Sequence, residues 1–187
     1  MTDVTQELDA RFRTAAADAG LLDAAYDLVE TPLGTLLVAA TEAGVCRISY
    51  DPEPDREVEQ LSRLLGTRIL RVAKPVDAAR RQLDEYFEQR RTEFDLPLDL
   101  RLSAEFSRRV LEELAKVPYG ETTTYGQLAT RAARPRAARA VGTVMNRNPI
   151  PIVLPCHRVV GSTGSLVGYG GGLQRKEQLL TLEGVTL

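Results

Sequence analysis

Histidine and cysteine are scarce in this chain of 187 residues, which holds one His and two Cys. Two cysteines make no disulfide framework, and with a single histidine they leave too few soft ligands for a structural zinc site. Long apolar runs are also missing. No stretch approaches the ~18–20 residues of a membrane helix. Residues 1–25 lack the basic start and apolar centre of a signal peptide. The expectation is a cytoplasmic protein without a membrane or metal partner. The remaining composition, 43% hydrophobic and 27% charged, is that of a globular protein. The length suits one large or two small domains.

The net charge of −2 hides an asymmetry. Residues 1–100 carry 12 Lys and Arg against 20 Asp and Glu; residues 101–187 carry 12 against 6. A basic C-terminal half favours a nucleic-acid partner, because neutralising phosphate supplies much of such affinity. Chance variation of surface charge is the plain alternative.

Residues 1–24 show a faint helical pattern (Leu8, Phe12, Ala15, Ala19) and read as an N-terminal extension, docked or loose. From Tyr26 to Tyr50, short apolar runs separated by Pro32-Leu33-Gly34 and Glu42-Ala43-Gly44 predict three hairpin-linked strands. Asp55–Leu65 predicts a helix with Val58, Leu61, Leu64 and Leu65 inward and Gly66 as its stop. A strand over 68–72 follows. Pro75 then opens a helix with Val76, Ala79, Leu83, Tyr86 and Phe87 facing the core. Residues 94–100 read as an extended linker, and the domain boundary is set there: 25–100, then 101–187.

In the second half, Ser103 is placed as the N-cap of a helix reaching Lys116. Thr124-x-x-Gln127 has capping-box form and starts a short helix bearing Tyr125. A second helix from about Arg136 to Asn146 completes a helix-turn-helix. Its Ala138, Val141 and Met145 are assigned to the core, and Arg136, Arg139, Thr143 and Arg147 to another face. Between 117 and 160 six arginines oppose Glu121 alone, which favours a DNA-contacting helix over a merely solvated one. A glycine-rich loop from Gly161 to Gly172 lacks phosphate-loop spacing and reads as a wall for a flat ligand. A last helix spans Leu173–Glu183.

The segment Asn148-Pro149-Ile150-Pro151-Ile152-Val153-Leu154-Pro155-Cys156-His157-Arg158-Val159 stands apart. Its three prolines exclude a helix and deliver a thiol beside the only imidazole. A cysteine is nucleophilic as its thiolate, and a nearby His lowers the thiol pKa. The alternative is a small buried hydrophobe next to a hydrogen-bonded core histidine.

Pro155-Cys156-His157-Arg158-Val159 resembles the active-site signature of the O6-alkylguanine-DNA alkyltransferases, the methylated-DNA–protein-cysteine methyltransferases. The likeness extends through Arg139-Ala140-Val141-Gly142, Asn148-Pro149, Gly168-Tyr169, Lys176-Glu177 and Glu183-Gly184, covering roughly 100–185. It implies an α+β chain: a small RNase H-like N-terminal sheet with helices, then a mainly helical domain with the helix-turn-helix. It implies a DNA-repair protein that flips O6-alkylguanine out of double-stranded DNA and moves the alkyl group irreversibly to Cys156, once per molecule. O4-alkylthymine is a further candidate lesion. No cofactor and a monomeric chain are expected.

By the same resemblance, Cys156, His157 and Glu183 form a relay through water, and Asn148 braces the turn. Arg139 fills the gap left by the base. Tyr125 crowds the target phosphate, and Arg136, Ala138 and Ala140 share the DNA-facing helix. Val159, Tyr169 and Gly170 line the substrate pocket, with Gly170 where the family often has Ser. Lys176 is assigned either to charge balance at that pocket or to an open helix surface. Competing readings are a binding-only relative that marks alkylated bases, a helix-turn-helix regulator, and a cysteine hydrolase.

Overall fold

The computed structural model describes residues 4–186, which divide into two compact units. The first holds the chain up to Glu85 together with Asp95–Asp99; the second holds Tyr86–Phe94 and the chain from Leu100 onward. The sequence reading places 86–94 with the first domain, and the structure places them with the second. The reason is aromatic. The Tyr86 ring lies 5.3 Å from those of Phe87 and Phe94 and 6.1 Å from that of Tyr119.

The first unit begins with α1 (Val4–Asp18), which settles the open reading of the N-terminal extension as a helix. A four-stranded sheet follows, built from β1 (Ala24–Thr31), β2 (Gly34–Thr41), β3 (Gly44–Tyr50) and β4 (Ile69–Arg71). The spatial order is β3-β2-β1-β4, with β4 parallel to β1 and the other pairs antiparallel. Leu36 through Ala40 are buried without alternation, so the central β2 is covered on both faces. One cover is α2 (Pro54–Leu65). Its Val58, Leu61 and Leu65 pack against Leu37, Ala39, Cys46 and Ile69. Leu64, expected on that face, is 57% exposed. It sits about 100° around the helix from Leu65, outside the stripe that positions 58, 61 and 65 share. Cys46 is a packing residue, as its sequence context suggests.

The 3₁₀ turn Lys74–Val76 leads into α3 (Asp77–Phe87). Residues 94–100 are more than a linker: Asp99 N–H donates to Val45 O, Val45 N–H to Pro97 O, and the Thr41 hydroxyl to Asp99 Oδ2.

The second unit is mainly helical. Its first helix, α4 (Glu105–Leu114), buries Val110, Leu111 and Leu114. The expected Ser103 cap is not used. Ala104 is the N-cap, and Ser103 N–H instead closes a turn onto Leu100 O. The pair β5 (Thr123–Thr124) and α5 (Tyr125–Arg131) carries the full capping box: Gln127 N–H donates to Thr124 Oγ1, and Thr124 N–H to Gln127 Oε1. The next helix, α6 (Ala138–Asn146), starts two residues later than the sequence suggests, because Ala137 N–H folds back on Arg134 O. Val141, Val144 and Met145 are its buried face; Ala138 is only half-buried. α5 and α6 pack on each other and on α4 in the manner of a helix-turn-helix. The strand β6 (Val159–Val160) pairs in parallel with β5, and α7 (Leu173–Leu182) closes the unit. Among the described residues, no helix is long and apolar enough to cross a membrane.

Candidate active site

The thiol is presented by a turn that main-chain hydrogen bonding alone does not complete. Leu154 N–H reaches back to Ile150 O, and Asn148 spans the same turn. Its Oδ1 accepts from Ile150 N–H at 3.1 Å and its Nδ2 donates to Leu154 O at 2.8 Å. Inside the turn, buried Ile152 has φ +73°. A β-branched residue in the left-handed region is strained, by about 1–3 kcal/mol, and such strain persists only where the surroundings enforce it. The amide of Asn148 is that enforcement. Cys156 N–H then donates to Leu154 O, and Cys156–Arg158 form a 3₁₀ turn leading into β6.

Cys156 is 4% exposed. Burial pushes its thiol up to about 11, against smaller opposing effects of Asn148, the Lys176 charge and Tyr169. The expectation of a thiol acidified by its histidine neighbour is therefore corrected. The imidazole is turned elsewhere: His157 Nε2 lies 2.9 Å from Glu183 Oε1. An ionised carboxylate only accepts, so Nε2 carries the proton. Burial holds the His157 pKa below its ordinary value, despite the Glu183 carboxylate that favours the charged form. His157 is thus a neutral imidazole, and among the described residues its Nδ1 has no hydrogen-bond partner. Nδ1 is therefore the acceptor nitrogen of the ring, on the residue that follows Cys156 in sequence.

Glu183 caps the C-terminus of α7, where the helix dipole disfavours a carboxylate. Four neighbours reverse that. Arg158 donates Nε to Oε2 at 2.9 Å and Nη2 to Oε1 at 2.8 Å. Tyr86 Oη donates to Oε1 at 2.6 Å, and Gly120 N–H to Oε2 at 3.3 Å. His157 is the fourth. Burial alone would raise the carboxyl pKa, but the hydrogen bonds from His157 and Arg158 win and bring it down to about 2.

Arg158 counts among the DNA-facing positive charges in the sequence reading. It is 5% exposed and serves as the counter-ion of Glu183, its remaining Nη1 donating to Val117 O at 2.5 Å. Tyr86 appears there only as a core residue. Nothing local in the sequence links it to Glu183, 97 positions away.

Lys176 is wholly buried, which removes the open-surface reading. Its Nζ donates to Val159 O at 2.6 Å and Val167 O at 3.0 Å, tying β6 to the glycine-rich loop. Burial lowers its pKa to about 8, against the favourable effect of Cys156. Both main-chain groups of Val159 are engaged, the N–H with Cys156 O and the carbonyl with Lys176. Tyr125 is half-buried; its hydroxyl donates to Val167 O at 3.0 Å, and burial first, then Cys156, raise its pKa. At Gly170 a Cβ would stand 3.1 Å from Asn146 O, so glycine lets the loop come close to the end of α6.

The structure thus gathers Asn148, Tyr169, Lys176 and Tyr125 around Cys156, and His157 and Glu183 into one pair. Arg136, Arg139 and Ala140 are exposed at and along α6, with Ala138 half-buried between them. The second unit thus sets a nucleophile-bearing turn, followed in sequence by an imidazole tied to a clamped carboxylate, in the same domain as a basic helix-turn-helix.

Comparison with known proteins agrees. Residues 24–100 match the family model of the 6-O-methylguanine DNA methyltransferase ribonuclease-like domain, and residues 105–185 that of the DNA binding domain of the same proteins. A methylated-DNA–protein-cysteine methyltransferase of Mycolicibacterium paratuberculosis is 44% identical over 84% of this chain and 91% of that relative. One of Methanosarcina barkeri is 40% identical over 84% of this chain and 96% of its own. The crystal structure of Mycobacterium tuberculosis OGT in complex with DNA superposes with a TM-score of 0.75 at 39% identity, covering 85% of this chain and 92% of that one. The chain belongs to the family of methylated-DNA–protein-cysteine methyltransferases.

Proposed function

We propose that this chain repairs double-stranded DNA by flipping O6-alkylguanine out of the helix and taking its alkyl group onto Cys156. The observation that carries the reading is the Nδ1 of a neutral His157, without a hydrogen-bond partner among the described residues, whose Nε2–H is fixed on Glu183. The thiol proton passes to Nδ1 through a water as sulfur attacks the alkyl carbon. The S–C bond forms and the C–O6 bond breaks. The electron pair of that bond leaves with the guanine, which takes up a proton from solvent. A thioether offers no leaving group that would reverse the transfer, and the other thiol, Cys46, is a core packing residue of the first unit, so each molecule acts once.

A target atom within a duplex is reached only after unstacking, at a cost of a few kcal/mol. Arg139, exposed on α6, fills the vacated stack, as minor-groove proteins do with inserted side chains. Arg136 meets phosphate, while Ala138 and Ala140 allow close approach. Tyr125, Tyr169, Gly170 and the main chain at Val159 border the flipped base. Asn148 acts on the thiol through the turn it spans. One chain supplies thiol, imidazole and carboxylate, so the monomer suffices, and a free thiol suits the reducing cytoplasm.

The test is stoichiometry. With a duplex containing one O6-methylguanine, guanine should be restored up to one equivalent per protein, with the methyl on the Cys156 peptide by mass spectrometry. Continued turnover, or an unmodified Cys156 peptide, refutes the reading. Arg139→Ala should slow transfer from duplex by about ten- to a hundredfold while sparing reaction with the free O6-alkylguanine base. Equal losses on both would remove Arg139 from the flipping step.

A further inference from the structure

We propose that Tyr86 is a positioning residue for alkyl transfer: its phenol, donated to Glu183 Oε1, holds that carboxylate on the His157 imidazole. The inference rests on the relay just described and extends it to a residue nineteen positions before α4.

Oε1 is the crowded oxygen of Glu183. It accepts from His157 Nε2, Arg158 Nη2 and Tyr86 Oη, and the Tyr86 contact, at 2.6 Å, is the shortest of the three. A phenol at that distance has two effects. It fixes the carboxylate, since a further short hydrogen bond to Oε1 opposes any swing of that oxygen away from the imidazole. It also draws charge from Oε1, which weakens the pull of the carboxylate on the imidazole proton and keeps His157 neutral. Tyr86 is itself wholly buried, and its ring packs on Phe94 and Tyr119, so the hydroxyl has one orientation. Burial, followed by the Glu183 charge, raises the phenol pKa far above its ordinary value, so the group remains a donor. Tyr86 touches neither substrate nor sulfur; it acts through Glu183.

The charged groups around His157 are Glu183 and Lys176, from α7 and its cap, and Arg158 beside it; Cys156 is the neighbouring titratable group. Tyr86→Phe changes none of them and keeps the ring packing. What it removes is one donor to Oε1. The freed oxygen binds the imidazole proton more tightly, so the proton affinity of His157 should rise about threefold or more. Neutral His157 is the form that accepts the thiol proton. The acid limb of the single-turnover transfer rate should therefore move to higher pH by the same factor.

The protein has one histidine, so its imidazole NMR signals report this site alone. The experiment titrates full-length wild type, Tyr86→Phe and Tyr119→Phe by NMR and measures transfer against pH for each. Tyr119 belongs to the same ring cluster, but its hydroxyl donates to Leu182 O rather than to Glu183. An upward shift of both His157 titration and acid limb in Tyr86→Phe alone supports the proposal. A folded Tyr86→Phe with both unmoved, or equal shifts in both variants, overturns it. Should Tyr86→Phe not fold, wild type decides: the Tyr86 hydroxyl proton should exchange slowly and cross-relax with His157 Nε2–H, and its absence overturns the proposal. The titration needs no DNA. An unmethylated Cys156 peptide would sink the transfer reading while leaving the Tyr86–His157 coupling to be judged by NMR.

Discussion

Cys156→Ser is expected to abolish alkyl transfer while leaving duplex binding unchanged. Burial pushes the thiol up to about 11, so near neutral pH the protonated form dominates. On the proposed relay the proton leaves as the bond forms, onto Nδ1 of His157. A serine hydroxyl is far less acidic and its oxygen a weaker nucleophile, so the same acceptor cannot draw its proton off. The loss should exceed about a thousandfold. On the proposed reading binding resides in exposed residues of α6, which the substitution does not touch. A gel-shift titration should therefore be unaltered while the methyl remains on DNA; methyl transfer by Cys156→Ser would refute the assignment. The pH profile gives a second check. A thiol acting without help would quicken tenfold per pH unit up to about 11. With the relay in place the rate should level off once His157 is neutral, far below that value.

Glu183→Ala should cost more stability than any other single change at the site. Glu183 and its side-chain donors Tyr86, His157 and Arg158 are buried. Removing the acid leaves the Arg158 guanidinium, among the described residues, with the Val117 carbonyl and the face of the Tyr119 ring but no counter-ion, and it strands His157 Nε2 and the Tyr86 hydroxyl. An uncompensated buried charge destabilises by about 3–5 kcal/mol, readable as a lower urea midpoint at unchanged slope. Transfer should fall with it, since nothing then fixes the imidazole tautomer. The acid dependence has a definite sign. The folded carboxyl sits at about 2 against an ordinary 4.5, so its stabilisation is complete above 4.5 and disappears as pH falls toward 2. That window is worth about 3 kcal/mol in wild type and should vanish from the pH slope of Glu183→Gln. An identical acid slope in the two proteins would show that Glu183 is not the clamped group described.

The strands, helices and helix-turn-helix were legible because each rests on local chemistry. The Thr124/Gln127 capping box, the glycine at 66 and the prolines before Cys156 act within a few residues of themselves. What failed locally failed by small offsets: Ser103 stands one place before the true cap, and Leu64 a third of a turn off its stripe. The site was half legible. Cys156, His157 and Asn148 announce themselves by adjacency. The roles of Arg158, Lys176 and Tyr86 do not. An arginine beside a histidine in a basic half looks like a DNA contact until its partner, 25 residues on, is placed against it. A lysine on a helix looks solvated until a loop closes over it. Pairings at such separations are products of tertiary packing, and residue type alone is silent about them.

The short ladder between β5 and β6 sets a measure for the whole device. Thr123 lies opposite Val159 and Thr124 opposite Val160. The helix bearing Tyr125 starts one residue beyond the first of these strands, and the reactive sulfur sits three residues before the second. Main-chain geometry therefore gauges the offset between reading head and nucleophile, whatever side chains surround it. A side-chain change on α5 or α6 that leaves this ladder intact leaves the sulfur at the same main-chain address.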